Sequence, residues 1–330
     1  MLDDQRPGTI YWIDHYVVAT DDVERWVDFH ERVLGAKTIL RDGRNLQRQA
    51  FQDLAGPCHH GAFRSQPLPV SAGLGKGLPR HGLFIRQEDI EKHLRRLDDC
   101  SSPHTDPFQT SAEGDEGIAI RWEDPDGNQF EFWAPDRMPE GGMVGSGPLG
   151  IGRISHGVYE CRDLQRTADL FNRYCSLEPL SSADVPSDTL VLPLAAGGRI
   201  VFKQVETLGR RTCGWGTLNG PHAALVVRDE DFFPNYEKMW AELPDWAWDA
   251  DRRAFIDGGD HLPARMARHG GPGGSRWYEM RGRGDDWYDW DTNCFHFFGG
   301  APKGGSMADY EPHSMDYFAK LYAQEHALGA

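Results

Sequence analysis

His15, His81 and Glu131 are the residues of this chain whose types and settings are those of a metal centre. His15 lies in the apolar run Tyr11-Trp-Ile-Asp-His-Tyr-Val-Val-Ala19, and His81 opens Gly82-Leu-Phe-Ile85. Glu131 sits in Asp124-Pro-Asp-Gly-Asn-Gln-Phe-Glu-Phe-Trp-Ala-Pro135, a tight turn that feeds a short strand. Two neutral imidazoles and one carboxylate form a facial donor set that leaves coordination positions open. A carboxylate flanked by Phe130, Phe132 and Trp133 is costly to bury without a cation or a proton.

The elements that must position these residues follow from hydrophobic period. Residues 10–19 alternate as a half-buried strand. Asp21-Asp22 then precedes a helix over 23–34, whose apolar residues at 23, 26, 27, 29, 33 and 34 share a face and which Gly35 stops. Strands near 37–40, 46–54 and 60–64 complete a βαβββ unit before a Gly/Pro-rich link at 67–79. The pattern restarts with a strand at 82–85, a helix at 88–97, and strands at 107–110, 117–122 and 128–133, the last entered through an Asp126-Gly127 turn. A period of two puts Gln129, Glu131 and Trp133 on one face and Phe130 and Phe132 on the other.

The same order recurs in the second half. His156 lies in a strand at 154–160, a helix starts at Asp163, and His222 opens another strand before a helix at 232–243. His15 and His81 are 66 residues apart, as are His156 and His222, and 141 residues separate each from its counterpart. Such a period is read as an internal repeat. Residues 289–298 align with 124–133 and put His296 where Glu131 stands. The expected organisation is an N-terminal two-module unit at 1–136, with modules about 8–66 and 80–136, then a linker at 137–152. A C-terminal two-module unit follows at 153–305, with a Trp/Asp/Gly-rich insertion about 244–274, then a tail at 306–330.

Bulk properties narrow the function classes. The formal net charge of −16 disfavours nucleic acid and anionic membrane surfaces as partners. The first residues carry no secretory signal pattern and no apolar run reaches membrane-spanning length, so a soluble cytoplasmic protein is expected. The six cysteines contain no Cys-x-x-Cys pair, which argues against a zinc ribbon or a disulfide scaffold.

Four βαβββ units, a histidine opening odd and even units alike and a glutamate in Asp-Pro-Asp-Gly-Asn-x-x-Glu resemble the vicinal oxygen chelate superfamily, which includes glyoxalases, bleomycin resistance proteins and extradiol dioxygenases. The four-module arrangement looks most like the two-domain type I extradiol ring-cleavage dioxygenases. That resemblance implies an α+β fold in which four βαβββ modules pair into two open barrels. It implies His15, His81 and Glu131 as ligands of Fe(II), with Mn(II) or Zn(II) as alternatives, and His156, His222 and His296 as a second set. It further implies a histidine near the first ligand, for which His59 and His60 are candidates; an imidazole titrating near working pH suits movement of a catechol proton. Arg121 is a candidate for fixing a substrate carboxylate.

The expected activity is therefore metal-dependent extradiol cleavage of a small catechol-like aromatic with O2. A non-oxidative lyase, isomerase or hydrolase is the first alternative, and a non-catalytic aromatic-binding protein the second. The resemblance and the aromatic loops point to a homo-oligomer.

Overall fold

The computed structural model describes residues 10–41, 49–55, 58–64, 73–110, 116–139, 141–143, 145–147, 149–182, 185–206, 222–228, 276–281 and 294–301, with isolated positions between 231 and 242. The expected insertion at 244–274 and the tail at 306–330 lie outside the described residues, as does most of the expected helix at 232–243.

The opening unit forms as its period dictates. Strand β1 (Ile10–Thr20) is buried along its whole length. Helix α1 (Val23–Leu34) starts where the Asp22 carboxylate accepts from the backbone N–H groups of Glu24 and Arg25. It ends at Gly35, whose φ of 66° is the left-handed conformation a helix C-terminus commonly takes. Strands β2 (Lys37–Arg41), β3 (Gln49–Asp53) and β4 (His59–Arg64) follow. The second unit comprises β5 (Arg80–Ile85), α2 (Ile90–Asp99), β6 (Phe108–Thr110), β7 (Gly117–Glu123) and β8 (Gln129–Pro135).

The repeat is visible in the structure. Strand β9 (Ile151–Cys161) and helix α3 (Leu164–Cys175) stand 141 residues after β1 and α1 at both ends, and Asp163 caps α3 as Asp22 caps α1. Only β10 (Thr189–Pro193) and β11 (Arg199–Gln204) complete this third unit among the described residues, and the fourth is seen as β12 (His222–Arg228), β13 (Arg276–Arg281) and β14 (Cys294–Ala301).

The strands assemble into two seven-stranded sheets, in the orders β13-β14-β12-β1-β4-β3-β2 and β10-β11-β9-β5-β8-β7-β6. This is the α+β architecture expected, each sheet curling as a half-barrel. The partnership differs from the expected one. The first unit shares its sheet with β12–β14 and the second with the third, so division at 136/153 does not follow the sheets. The physical reason is edge pairing: β1 presents its free side to β12 and β5 presents its own to β9, both antiparallel.

Between the sheets lies an aromatic and histidine layer. Tyr16 stacks on His81 with centroids 4.3 Å apart, and Trp26, His30, His60, Trp122 and Phe130 pack around them. The turn before β8 locks the two units together. Asp124 Oδ1 accepts from the N–H groups of Asp126 and Asn128, and Asn128 Nδ2 donates to Ala19 O at 2.8 Å. Thr20 Oγ1 donates to Asp126 Oδ2 at 2.7 Å.

Candidate functional site

Backbone register defines two corresponding rows, one in each sheet. In the first sheet, His59 on β4 faces His15 on β1, His15 faces Ala224 on β12, Ala224 faces His296 on β14, and His296 faces Glu279 on β13. In the second sheet the order is Arg199 on β11, His156 on β9, Gly82 on β5, Glu131 on β8 and Arg121 on β7. Ala224 therefore corresponds to Gly82, and His296 to Glu131. One same-face step along, His222 pairs with Val17 as Arg80 pairs with Val158, so His222 corresponds to Arg80.

This register separates the residues expected to act together. His81 pairs with Phe130 while Gly82 pairs with Glu131, so His81 and Glu131 occupy opposite faces of the sheet. The His81 ring lies in the inter-sheet layer against Tyr16, and His15 belongs to the other sheet. The set His15, His81 and Glu131 does not converge, and no group of three or more His, Cys, Asp or Glu placed to hold a metal occurs among the residues whose side chains are described, which leave out those of His222, Glu279 and His296. His156 likewise stands apart from His222 and His296, which belong to the first sheet. A slip of one residue in a strand turns every side chain to the other face. The uniform 141-residue offset hides such a slip between the second and fourth units.

Glu131 has cations of its own. It is fully buried, with Arg121 Nε 2.9 Å and Arg80 Nε 3.1 Å from Oε2, and His156 Nε2 3.2 Å from Oε1. Burial alone would raise the Glu131 carboxyl, but Arg80, His156 and Arg121 outweigh it and hold the group well below the usual carboxylate range. Gly82 makes room for this cluster: a Cβ there would meet the His156 ring at 2.2 Å. Two guanidinium groups already neutralise Glu131, so this face does not fit a resident cation. Arg121, expected to clamp a substrate carboxylate, is tied instead to Glu131 and lies over the Phe108 ring at 4.9 Å.

The row in the first sheet has another chemistry. His15 is 2% exposed, and its Nδ1 lies 2.7 Å from Asp14 Oδ2. His59, in the same row, is 5% exposed with Nε2 3.3 Å from Asp53 Oδ1. His60 points the other way. Its Nε2 lies 2.7 Å from Gln52 Oε1, its ring packs on Trp26, and burial, with His30, His59 and His81 nearby, lowers its pKa well below the ordinary histidine value. Of the two expected proton carriers, only His59 shares the row of His15. His222, His296 and Glu279 enter this site through their register positions.

Sequence reasoning missed Asp14, Arg80 and Glu279. Asp14 had a visible signal, an acidic residue inside an apolar strand beside a histidine. Arg80 carried one only if the register of β5 were known.

The stretch 12–132 matches the Glyoxalase/Bleomycin resistance protein/Dioxygenase superfamily. No curated protein matches the chain. Among solved structures it resembles a "putative dioxygenase" from Bacillus subtilis over 98% of its length and 97% of the other chain, at 14% identity and a TM-score of 0.56. It also resembles glyoxalase I from Zea mays over 95% of its length and 96% of the other chain, at 12% identity and a TM-score of 0.53. At these identities the likeness is one of fold.

Proposed function

The chain belongs to the Glyoxalase/Bleomycin resistance protein/Dioxygenase superfamily, and we propose that within it this protein is a metal-dependent extradiol-type dioxygenase cleaving a catechol-like aromatic with O2. The observation that carries the reading is the first sheet's row, in which His15 and His296 flank Ala224 and His222 stands one same-face step away. Three imidazoles drawn from β1, β12 and β14, with the Glu279 carboxylate next in the row, suit Fe(II), and also Mn(II) or Zn(II). Reduced iron in that set supplies Lewis acidity toward the two oxygens of a vicinal diol and electrons toward O2.

The chain's own residues do the rest. Asp14 holds the His15 ring by Nδ1. His59, beside His15 in the row, receives a diol proton as the substrate binds, with Asp53 at its Nε2. The second sheet, with its internally neutralised Glu131, serves as scaffold.

Oxygen uptake after anaerobic iron loading, measured with a panel of catechols, tests the proposal. Uptake that requires both a catechol and His15 is expected. Absence of uptake with every catechol would overturn the dioxygenase reading. A non-oxidative reading has one observation in its favour, since three of the row's donors are imidazoles rather than two. Turnover under strict anaerobiosis with zinc, nickel or manganese would select it.

A further inference from the structure

Strand β1 contains two extra residues relative to β12, Tyr11 and, beside His15, Asp14. Ile13 pairs with Leu225 and His15 with the next residue, Ala224, leaving Asp14 as the bulged position. In an uninterrupted strand, neighbouring side chains point to opposite faces. Here the bulge brings the two side chains together, with Asp14 Oδ2 2.7 Å from His15 Nδ1 and their exposures at 1% and 3%. At 2.7 Å Asp14 Oδ2 is placed to accept from Nδ1–H, which leaves the ring's lone pair on Nε2.

The repeat supplies an internal comparison. Strand β9 bulges at the corresponding place: Leu83 pairs with Ile154 and Gly82 with His156, leaving Ser155 as the extra residue. Ser155 Oγ lies 3.0 Å from His156 Nδ1, and His156 Nε2 faces the Glu131 carboxylate at 3.2 Å. A hydroxyl can donate as well as accept, so Ser155, unlike Asp14, lets the His156 proton sit on Nε2, toward Glu131. The same bulge thus carries a carboxylate where the ring is to present a lone pair, and a hydroxyl where the ring is to present a proton.

We propose that Asp14 is a positioning residue of the metal centre. It fixes the His15 ring and tautomer so that Nε2 is the donor, and through a charge-assisted hydrogen bond it strengthens that donor. The proposal rests on His15 being a metal ligand, as in the reading above.

Two measurements test it. In metal-free protein labelled with 15N-histidine, long-range proton–nitrogen spectra, assigned by comparison with His15→Gln, report the tautomer directly. The Nδ1–H form is expected for His15, and the Nε2–H form would overturn the proposal whether or not any variant folds. Zinc affinity against a competing chelator then compares the wild type with Asp14→Ala, Asp14→Asn and His15→Gln. A loss of about 10- to 100-fold is expected for Asp14→Ala, with a smaller loss for Asp14→Asn, whose amide oxygen still accepts. Wild-type affinity in Asp14→Ala together with lost binding in His15→Gln would overturn the role of Asp14 alone. Unchanged affinity in His15→Gln would overturn the ligand assignment beneath it.

Discussion

Arg80 Nε lies 3.1 Å from Glu131 Oε2, with the two side chains 4% and 0% exposed. The pair takes the place a cation would take on that face. Removing one member of a buried ion pair leaves the other desolvated and uncompensated. Glu131→Gln is therefore expected to destabilise the protein by about 3–5 kcal/mol, read from chemical denaturation.

Gly82 is required by the ring beside it. A Cβ at this position meets His156 at 2.2 Å, and Nε2 of the same ring lies 3.2 Å from Glu131 Oε1. Gly82→Ala should cost about 1–3 kcal/mol through overpacking, seen as a lower denaturation midpoint with unchanged slope.

The inter-sheet layer makes the fold sensitive to acid. Burial lowers His30 and His93, the latter to about 4, and lowers His60 well below the ordinary value. The unfolded chain takes up these protons below pH about 6.5, while the folded chain resists them. Their stabilisation is present above pH about 6.5 and is lost as pH falls toward the folded values. Asp126, which burial raises to about 6, opposes them by one proton in the lower part of that range. Three lowered histidines outweigh one raised carboxyl, so the unfolding free energy should fall as pH drops below about 6.5, measurable as its pH dependence. His93→Leu should flatten that slope by about one proton, since neither ring nitrogen of His93 has a hydrogen-bond partner among the described residues.

His59 and His60 should separate cleanly. His59→Gln is expected to lower the catechol-dependent rate about a hundredfold. His60→Gln, between Gln52 and Trp26, should act on the denaturation midpoint instead.

Much of this architecture is legible in the sequence because its signals are local. The Asp22 cap, the apolar face of α1 and Gly35 specify that helix from a dozen residues, and the spacing of His15 and His156 reports the repeat. Sheet partnership depends on which strand edges meet across more than 200 residues, and no local signal carries it. The expected set fails twice, because His15 and Glu131 belong to different sheets and because the register of β5 turns His81 away from Glu131. His81 is the more obvious ligand, but Gly82 faces Glu131, so Arg80 two residues earlier points where His81 was expected to point. The Asp14 bulge was equally hidden, because an extra residue shows only against the partner strand.

Iron bound per chain after anaerobic loading, compared among the wild type, His222→Ala and His81→Phe, tests the central claim most directly. The account predicts one iron in the wild type, one in His81→Phe, whose ring keeps the stack on Tyr16, and none in His222→Ala. Iron lost in His81→Phe and kept in His222→Ala would contradict it.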